Sequence, residues 1–500
     1  MTAPARPALP APASGVPARA WGPPQVLLLA ALTLVGSAVF AALVVHGLWF
    51  VAVALLGVVP GTTLLVRYPW SAVIIWVVVT PLASTTDGAA VRGFYWLVHR
   101  GLPVWALLVV VIGVVTGSRP RRLPRLGLPE VLMAGYLVAT TISILYTAPS
   151  VVGRMFVLYD RVAVPMCLYL LVRLLVPSAT DFARLLPAVI AVLVVQSVVG
   201  MVSWIGPAVL RPEWLGKVGE RTVGTLQSPD VFGITMIFCA VFVLHVGLSL
   251  ARTRVARAAT LVLFGLAVLM VFMSFSRATW LAGVLTLLGL AVFFREYLHR
   301  VVIVGAVVLV FLGVTGVLNT QWQYAQYRFD SQQSQESALS RLPVFLAAVR
   351  MFEAKPVTGF GYENFDRVDR PFQGRVGDLV YPEKNHASHN LFLTLLAEQG
   401  LVGITLYLSP LLVWFARSVA RRSRLPADGL LSRRFVGVLW LALLAHLVVN
   451  NFSRMHLPFG LGMYWLTLGL VATLVDRVPA GAGVPAGAGV PAGAGVEVRA

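Results

Sequence analysis

His389 and Asn390 stand together at the head of an apolar run. An imidazole titrates near neutrality, so at a wet helix end it suits proton abstraction from a hydroxyl. The ordinary alternative is an interface histidine that bonds a neighbour. His386, three residues earlier, is a second candidate with a stronger ordinary reading. Arg277 lies in SFSRATW between two apolar runs, Arg221 in GERTVGTLQSPDVFG before another, and Arg341 in SRLPVF. An arginine at that depth is costly unless it is paired or faces water, although its stem can also carry the charge to lipid headgroups. Several on one face suggest an anion site, because planar guanidinium forks bind phosphate oxygens bidentately. Arg154 and Arg161, with Asp160, form a further cluster open to either topology or substrate contact. Glu398, inside the run that His389 opens, calls for a structural partner or a role. His245, His446 and Arg173 lie within or at the edges of apolar runs and read as polar packing. Cys167 and Cys239 sit in apolar runs, with no Cys-x-x-Cys pair or zinc spacing, so no metal or cofactor is expected.

The elements that must position these residues follow from composition. Of 500 residues, 58% are hydrophobic and only 12% charged, against about 25% charged in a soluble domain. With a mean hydropathy of +0.84, a soluble cytosolic enzyme is excluded. The net charge of +19 does not point to nucleic acid, because the basic residues alternate with long apolar runs. Runs of roughly 15–25 apolar residues, the length of a bilayer-spanning helix, recur from 26–45 to 458–475. Fourteen can be drawn, or twelve if the short ones containing Pro81 and Pro165 are discounted. The expectation is an all-α, polytopic membrane protein with 12–14 spans. Residues 1–25 and the VPAGAG-repeat segment 476–500 would be disordered tails, the first cytoplasmic. Spans would fill 26–318 and 389–475.

Arginine asymmetry sets the orientation. Arg119, Arg121, Arg122 and Arg125, then Arg252, Arg254 and Arg257, then Arg417, Arg421, Arg422 and Arg424 fall in segments of one side. That side reads as cytoplasmic, with both termini in and the long segment 319–388 outside. In this loop Ser340 or Ser337 could cap a helix with Pro343 in its first turn. Leu342, Phe345, Leu346, Val349 and Phe352 recur at helical spacing, which predicts an amphipathic helix on the membrane surface or across the bundle mouth. The breakers Pro356, Gly359 and Gly361 then predict a turn in KPVTGFGYENF.

Three stretches together resemble the O-antigen ligase and O-antigen polymerase family of bacterial membrane glycosyltransferases. HNLFLTLLAEQGLVG at 389–403 is similar to its signature of His-Asn, nine residues, Gly, two residues, Gly. SRLPVFLAAVRMFEAKPVTGFGYENF at 340–365 is similar to its Arg, amphipathic helix and Pro-x-x-Gly-x-Gly turn. RTVGTLQSPDVFG at 221–233 is similar to an Arg-x-x-Gly stretch followed by Pro-Asn, except that Asp230 stands where Asn is usual. SRATWL at 276–281 fits a Ser-Arg turn before a helix. The resemblance covers roughly residues 220–470. It implies a lipid-sugar glycosyltransferase fold and a metal-independent, inverting transfer of a glycan from an undecaprenyl-diphosphate donor. The acceptor hydroxyl would belong to a glycan or a lipid-anchored molecule, on the outer face of the cytoplasmic membrane. His389 would then be the base and Arg277 and Arg341 the clamp. Arg221, Arg154, Arg161, Asn390 and His386 would contact diphosphate or glycan.

Ligase and polymerase share this pattern and differ only in the acceptor. A flippase for lipid-linked glycans would favour internal repeats and midplane charges, and no convincing repeat is present. A peptidoglycan-polymerising transferase would centre on an acidic loop residue without the His-Asn spacing. Nothing beyond the tails favours a non-enzymatic scaffold.

Overall fold

The computed structural model describes residues 49–83, 89–117, 126–210, 216–218, 221–297, 341–374, 388–453 and 457–477, with a few single positions between them. The apolar run 26–45 and all of 301–318 but Val310, both tails from Met1 to 48 and from 478, the cap candidates Ser337 and Ser340, and His386 lie outside the described residues. The chain divides into two units, Met1–Gly61 and Thr62–Ala500. The described part of the first is the opening of α1 (Trp49–Arg67).

The second unit is an all-α polytopic membrane assembly. After α2 (Ser71–Ala83) come α3 (Gly93–Val115), α4 (Leu128–Thr147), α5 (Val151–Leu175) and α6 (Ala179–Ile205). A short hairpin, β1 (Gly216–Val218) and β2 (Arg221–Gly224), interrupts the helices. Then follow α7 (Pro229–Leu250) and α8 (Arg254–Met273), α9 (Arg277–Phe293) and α10 (Arg341–Ala354). The chain ends with α11 (Leu391–Ala420), α12 (Arg433–Asn450) and α13 (Pro458–Asp476). Among the described residues nine helices are long and apolar enough to cross a membrane, while α2 and α9 are apolar but shorter. Helix is the form that satisfies every backbone polar group within a single segment in lipid. Helices α7 and α13 are enclosed on nearly all sides, as expected of helices that are apolar all round. Around them α5 packs on α13, α9 on α12, α11 on α4 and α8 on α7.

Of the two prolines that made spans doubtful, Pro165 does not end its helix. Pro165 sits in α5 just after a π-helical segment, Tyr159–Ala163. The wider turn accommodates a ring that would otherwise press on the carbonyl four residues back, so α5 begins at Val151 rather than near 162. At one end of α5 the buried Arg173 bonds Glu130 at 3.2 Å and Asp476 at 2.7 Å. Its polar role is thus a charge-compensated tie between α4, α5 and α13, as burial requires.

The loop helix α10 forms where the sequence predicts it, but a different face meets the protein. Val344, Ala347, Ala348 and Met351 are buried, packing with Phe365 and Ala397. Leu342 and Val349, from the predicted stripe, are 41% and 38% exposed. Two helices approach closely where side chains are small, so the face with Ala347 and Ala348 docks, while Leu342 and Val349 are left outward and Phe345, Leu346 and Phe352 are half-buried. An outward apolar stripe suits contact with lipid.

Candidate functional site

Four helix entries share one device. Gln227, Phe275, Glu363 and His389 have left-handed φ values of 61°, 47°, 57° and 49°. Each immediately precedes the residue that opens a helix: Ser228, Ser276, Asn364 and Asn390. Left-handed backbone costs a non-glycine residue about 1–2 kcal/mol, and such strain gathers at functional sites. His389 is one of the four and is half-buried.

Asn390 holds His389 in place. Its Oδ1 accepts from the Phe392 and Leu393 amides at 2.9 and 3.0 Å. Its Nδ2 donates to both the backbone oxygen and Oδ1 of Asn451 at 2.9 Å. All four side-chain bonding positions are used, which makes Asn390 a cap and a tie to the end of α12. The next residue, Phe452, accepts at its carbonyl from Arg341 Nη1 at 2.9 Å. One bonded chain therefore links the His389 segment to the first residue of α10.

Arg341 also lies in the electrostatic field of Asp230, Arg221 and Arg277, and Arg221 in that of Asp230 and Arg277. The three arginines read from the sequence thus lie within electrostatic reach of one another, with Asp230 the carboxylate that acts on two of them. Burial pulls the Arg221 and Arg341 guanidinium groups below their ordinary range, Asp230 opposes this, and the neighbouring arginines add to it. Arg277 is exposed at the first turn of α9. Ser276 Oγ donates to Asp230 Oδ1 at 2.5 Å, joining the starts of α7 and α9. Arg221 is carried by the hairpin, an element that the helical reading did not anticipate. The hairpin is fastened to α6 through Thr225 N–H to Gln196 Oε1 at 2.9 Å and Trp204 Nε1–H to Thr222 Oγ1 at 2.9 Å.

The signature glycines and Glu398 serve one joint. At Gly400, φ 61° and ψ −157° break α11, a conformation essentially confined to glycine. The break frees backbone groups that the turn 356–361 takes up. Leu401 N–H donates to Pro356 O at 2.8 Å and Val402 N–H to Val357 O at 3.1 Å, while Phe360 N–H donates to Ala397 O at 3.0 Å. Glu398 accepts from the Glu363 and Phe365 amides at 2.8 and 3.1 Å. The His-Asn…Gly signature is therefore a loop-docking device as well as a carrier of His389.

Arg154 and Arg161 both face Glu363. Arg161 Nη1 lies 2.8 Å from Glu363 Oε1, and Arg154 Nη1 lies 4.0 Å from Oε2. Glu363, which no sequence pattern singled out, thus ties the docked turn to α5. A double-mutant cycle of Arg161→Ala and Glu363→Ala is expected to show about 1 kcal/mol of coupling in thermal stability. Affinity of the single variants for a prenyl diphosphate should change less than threefold; a tenfold loss in Arg161→Ala alone would return Arg161 to the anion site.

Below Arg277, Trp280, Val284 and Leu287 continue the same face of α9. They line, with Phe264, Val268 and Phe272 of α8, an apolar cavity of about 340 Å³. Trp280 stacks on Phe272 with centroids 5.5 Å apart, and its indole N–H donates to Phe272 O at 2.9 Å. The cavity extends to Leu290, roughly 20 Å along the axis from Arg277 at 1.5 Å per residue.

Residues 259–408 match the family model described as O-antigen ligase. The match takes in Arg277, Arg341, His389 and Asn390 and stops short of Arg221, Arg154 and Arg161. No curated protein matches the chain. This part of the chain is therefore similar to the O-antigen ligase family.

Proposed function

We propose that this protein, part of which matches the O-antigen ligase family, moves a glycan from a polyprenyl-diphosphate carrier to an acceptor hydroxyl at the outer face of the cytoplasmic membrane. The observation that supports the reading is that Arg277, whose charge acts on Arg221 and Arg341, stands one helical turn before Trp280 of an apolar groove. A diphosphate joined to a long hydrocarbon matches that pairing, whereas a water-soluble sugar nucleotide would leave the groove unused. The groove's volume lies within the range of small-molecule sites.

In the reaction, His389 accepts the proton of the acceptor hydroxyl as its oxygen attacks the anomeric carbon. The bond from that carbon to the diphosphate oxygen breaks on the opposite side, so the configuration inverts. Charge growing on the leaving diphosphate is met by Arg277, Arg341 and Arg221, which are already oriented and need no reorganisation. Diphosphate is a good leaving group, so positioning and charge neutralisation supply most of the catalysis. Helix α10, docked on α11 by its small face, keeps Arg341 beside the reacting groups.

The test is transfer by the purified full chain from a defined polyprenyl-diphosphate oligosaccharide, in EDTA, with product mass as the readout. Product carrying one added glycan supports the ligase form, and a ladder of repeats supports a polymerase. Abolition by EDTA would overturn the metal-independent assignment. Absence of transfer, with the donor instead crossing a vesicle bilayer, would replace the transferase reading by a flippase.

A further inference from the structure

The arginine cluster contains an acid. Asp230 lies in the first turn of α7, half-buried, and accepts the Ser276 hydroxyl. Its charge acts on both Arg221 and Arg341. An acidic residue in a helix's first turn is ordinarily a favourable partner of the helix dipole. Here, however, the same carboxylate stands in the proposed diphosphate site, where a negative charge weakens binding of the ligand. That cost calls for a reason.

The two species the site must distinguish differ in charge. In the donor both phosphates are esterified, one to the lipid and one to the sugar, and each keeps one ionisable oxygen, giving a charge of about −2 at neutral pH. Transfer breaks the sugar bond and leaves a diphosphate monoester, whose terminal phosphate gains a second ionisable oxygen with a pKa of about 6. The product therefore carries about −3 near pH 7. Three arginines and one aspartate sum to +2, which matches the donor and undercompensates the product. With an uncharged residue at 230 the sum would be +3.

We infer that Asp230 sets the charge selectivity of the site, lowering its affinity for the spent carrier relative to the loaded one. This inference rests on the diphosphate reading above and deepens it. Asp230 acts through the arginines and the field, without contact with the reacting carbon, so it is a specificity residue. Ser276 anchors its carboxylate.

The experiment compares binding of two probes to the full chain in nanodiscs: geranyl diphosphate, a monoester, and a P1,P2-dialkyl diphosphate, a diester. In the wild type the diester should compete well. Asp230→Asn should raise the monoester-over-diester affinity ratio by on the order of tenfold, the size of one unit charge acting through a partly screened medium. Asp230→Glu should keep the ratio within about twofold of the wild type on the same electrostatic basis. In turnover, Asp230→Asn should show stronger inhibition by the monoester and a lower kcat with KM for donor unchanged or reduced. If Asp230→Asn is folded and the ratio is unchanged, with only melting affected, Asp230 is a helix-dipole partner and the inference fails. If the wild type binds neither probe in a manner sensitive to Arg277→Ala, the diphosphate reading itself fails, and this inference with it.

Discussion

Replacing His389 by asparagine is expected to leave the chain folded and to lower kcat by roughly a hundredfold to ten-thousandfold, the usual contribution of a positioned general base. Asparagine is the informative substitution because of the backbone. His389 sits at φ 49°, a region that asparagine tolerates better than most residues. Asn390 would continue to cap α11 and hold Asn451, so structure and chemistry separate. His389→Ala should lose the same activity with an added small loss of stability. The pH–rate profile supplies the second readout: the rise of kcat with pH through the imidazole range in the wild type should vanish in His389→Asn. Retention of more than a tenth of the wild-type rate would remove His389 from the role of base.

Gly400→Ala is expected to be strongly damaging, costing about 3 kcal/mol or more and most of the activity. Two independent terms add. At φ 61° and ψ −157° an alanine is strained by its own backbone, by about 1–3 kcal/mol. The new Cβ would also stand 2.4 Å from the Val357 carbonyl carbon, a backbone atom that cannot rotate away, so the turn must lift off α11. That turn carries the bonds from Pro356 and Val357 to α11 and the amides that satisfy Glu398. Lifting it would release Glu363 and, through α10, shift Arg341. Leu401→Ala next door, at a side chain 50% exposed, should be nearly silent in the same melting and transfer assays. A Gly400→Ala protein with wild-type melting would mean that the turn does not depend on the break in α11.

The membrane architecture was legible because the bilayer imposes one rule over long stretches: apolar runs of spanning length become helices. The arginines were legible by type, since charge near lipid demands a purpose. Which arginines lie near one another was legible only through the resemblance, which set Arg277 with Arg341, because proximity is a matter of where helix ends meet. Arg221, Arg277 and Arg341 are separated by 56 and 64 residues in the chain and converge only through a hairpin, a tight entry and a docked loop. Arg161, open in the sequence to either topology or substrate contact, is ion-paired with Glu363. The stripe on α10 was read by periodicity, which finds apolar faces but cannot tell a face turned to lipid from one turned to protein. The buried face was chosen by close approach of alanines.

The sequence by itself determined the helical membrane class, the histidine and arginines available for chemistry, and the glycine spacing of the signature, because these depend on residue type and local period. Tertiary structure alone decided that Gly400 opens α11 to receive the 356–361 turn, that Asn390 and Glu398 spend their bonding on positioning, and that Asp230 stands among three arginines. Hydrogen bonds and charge fields act over a few ångströms of space, and no separation along the chain reports that distance.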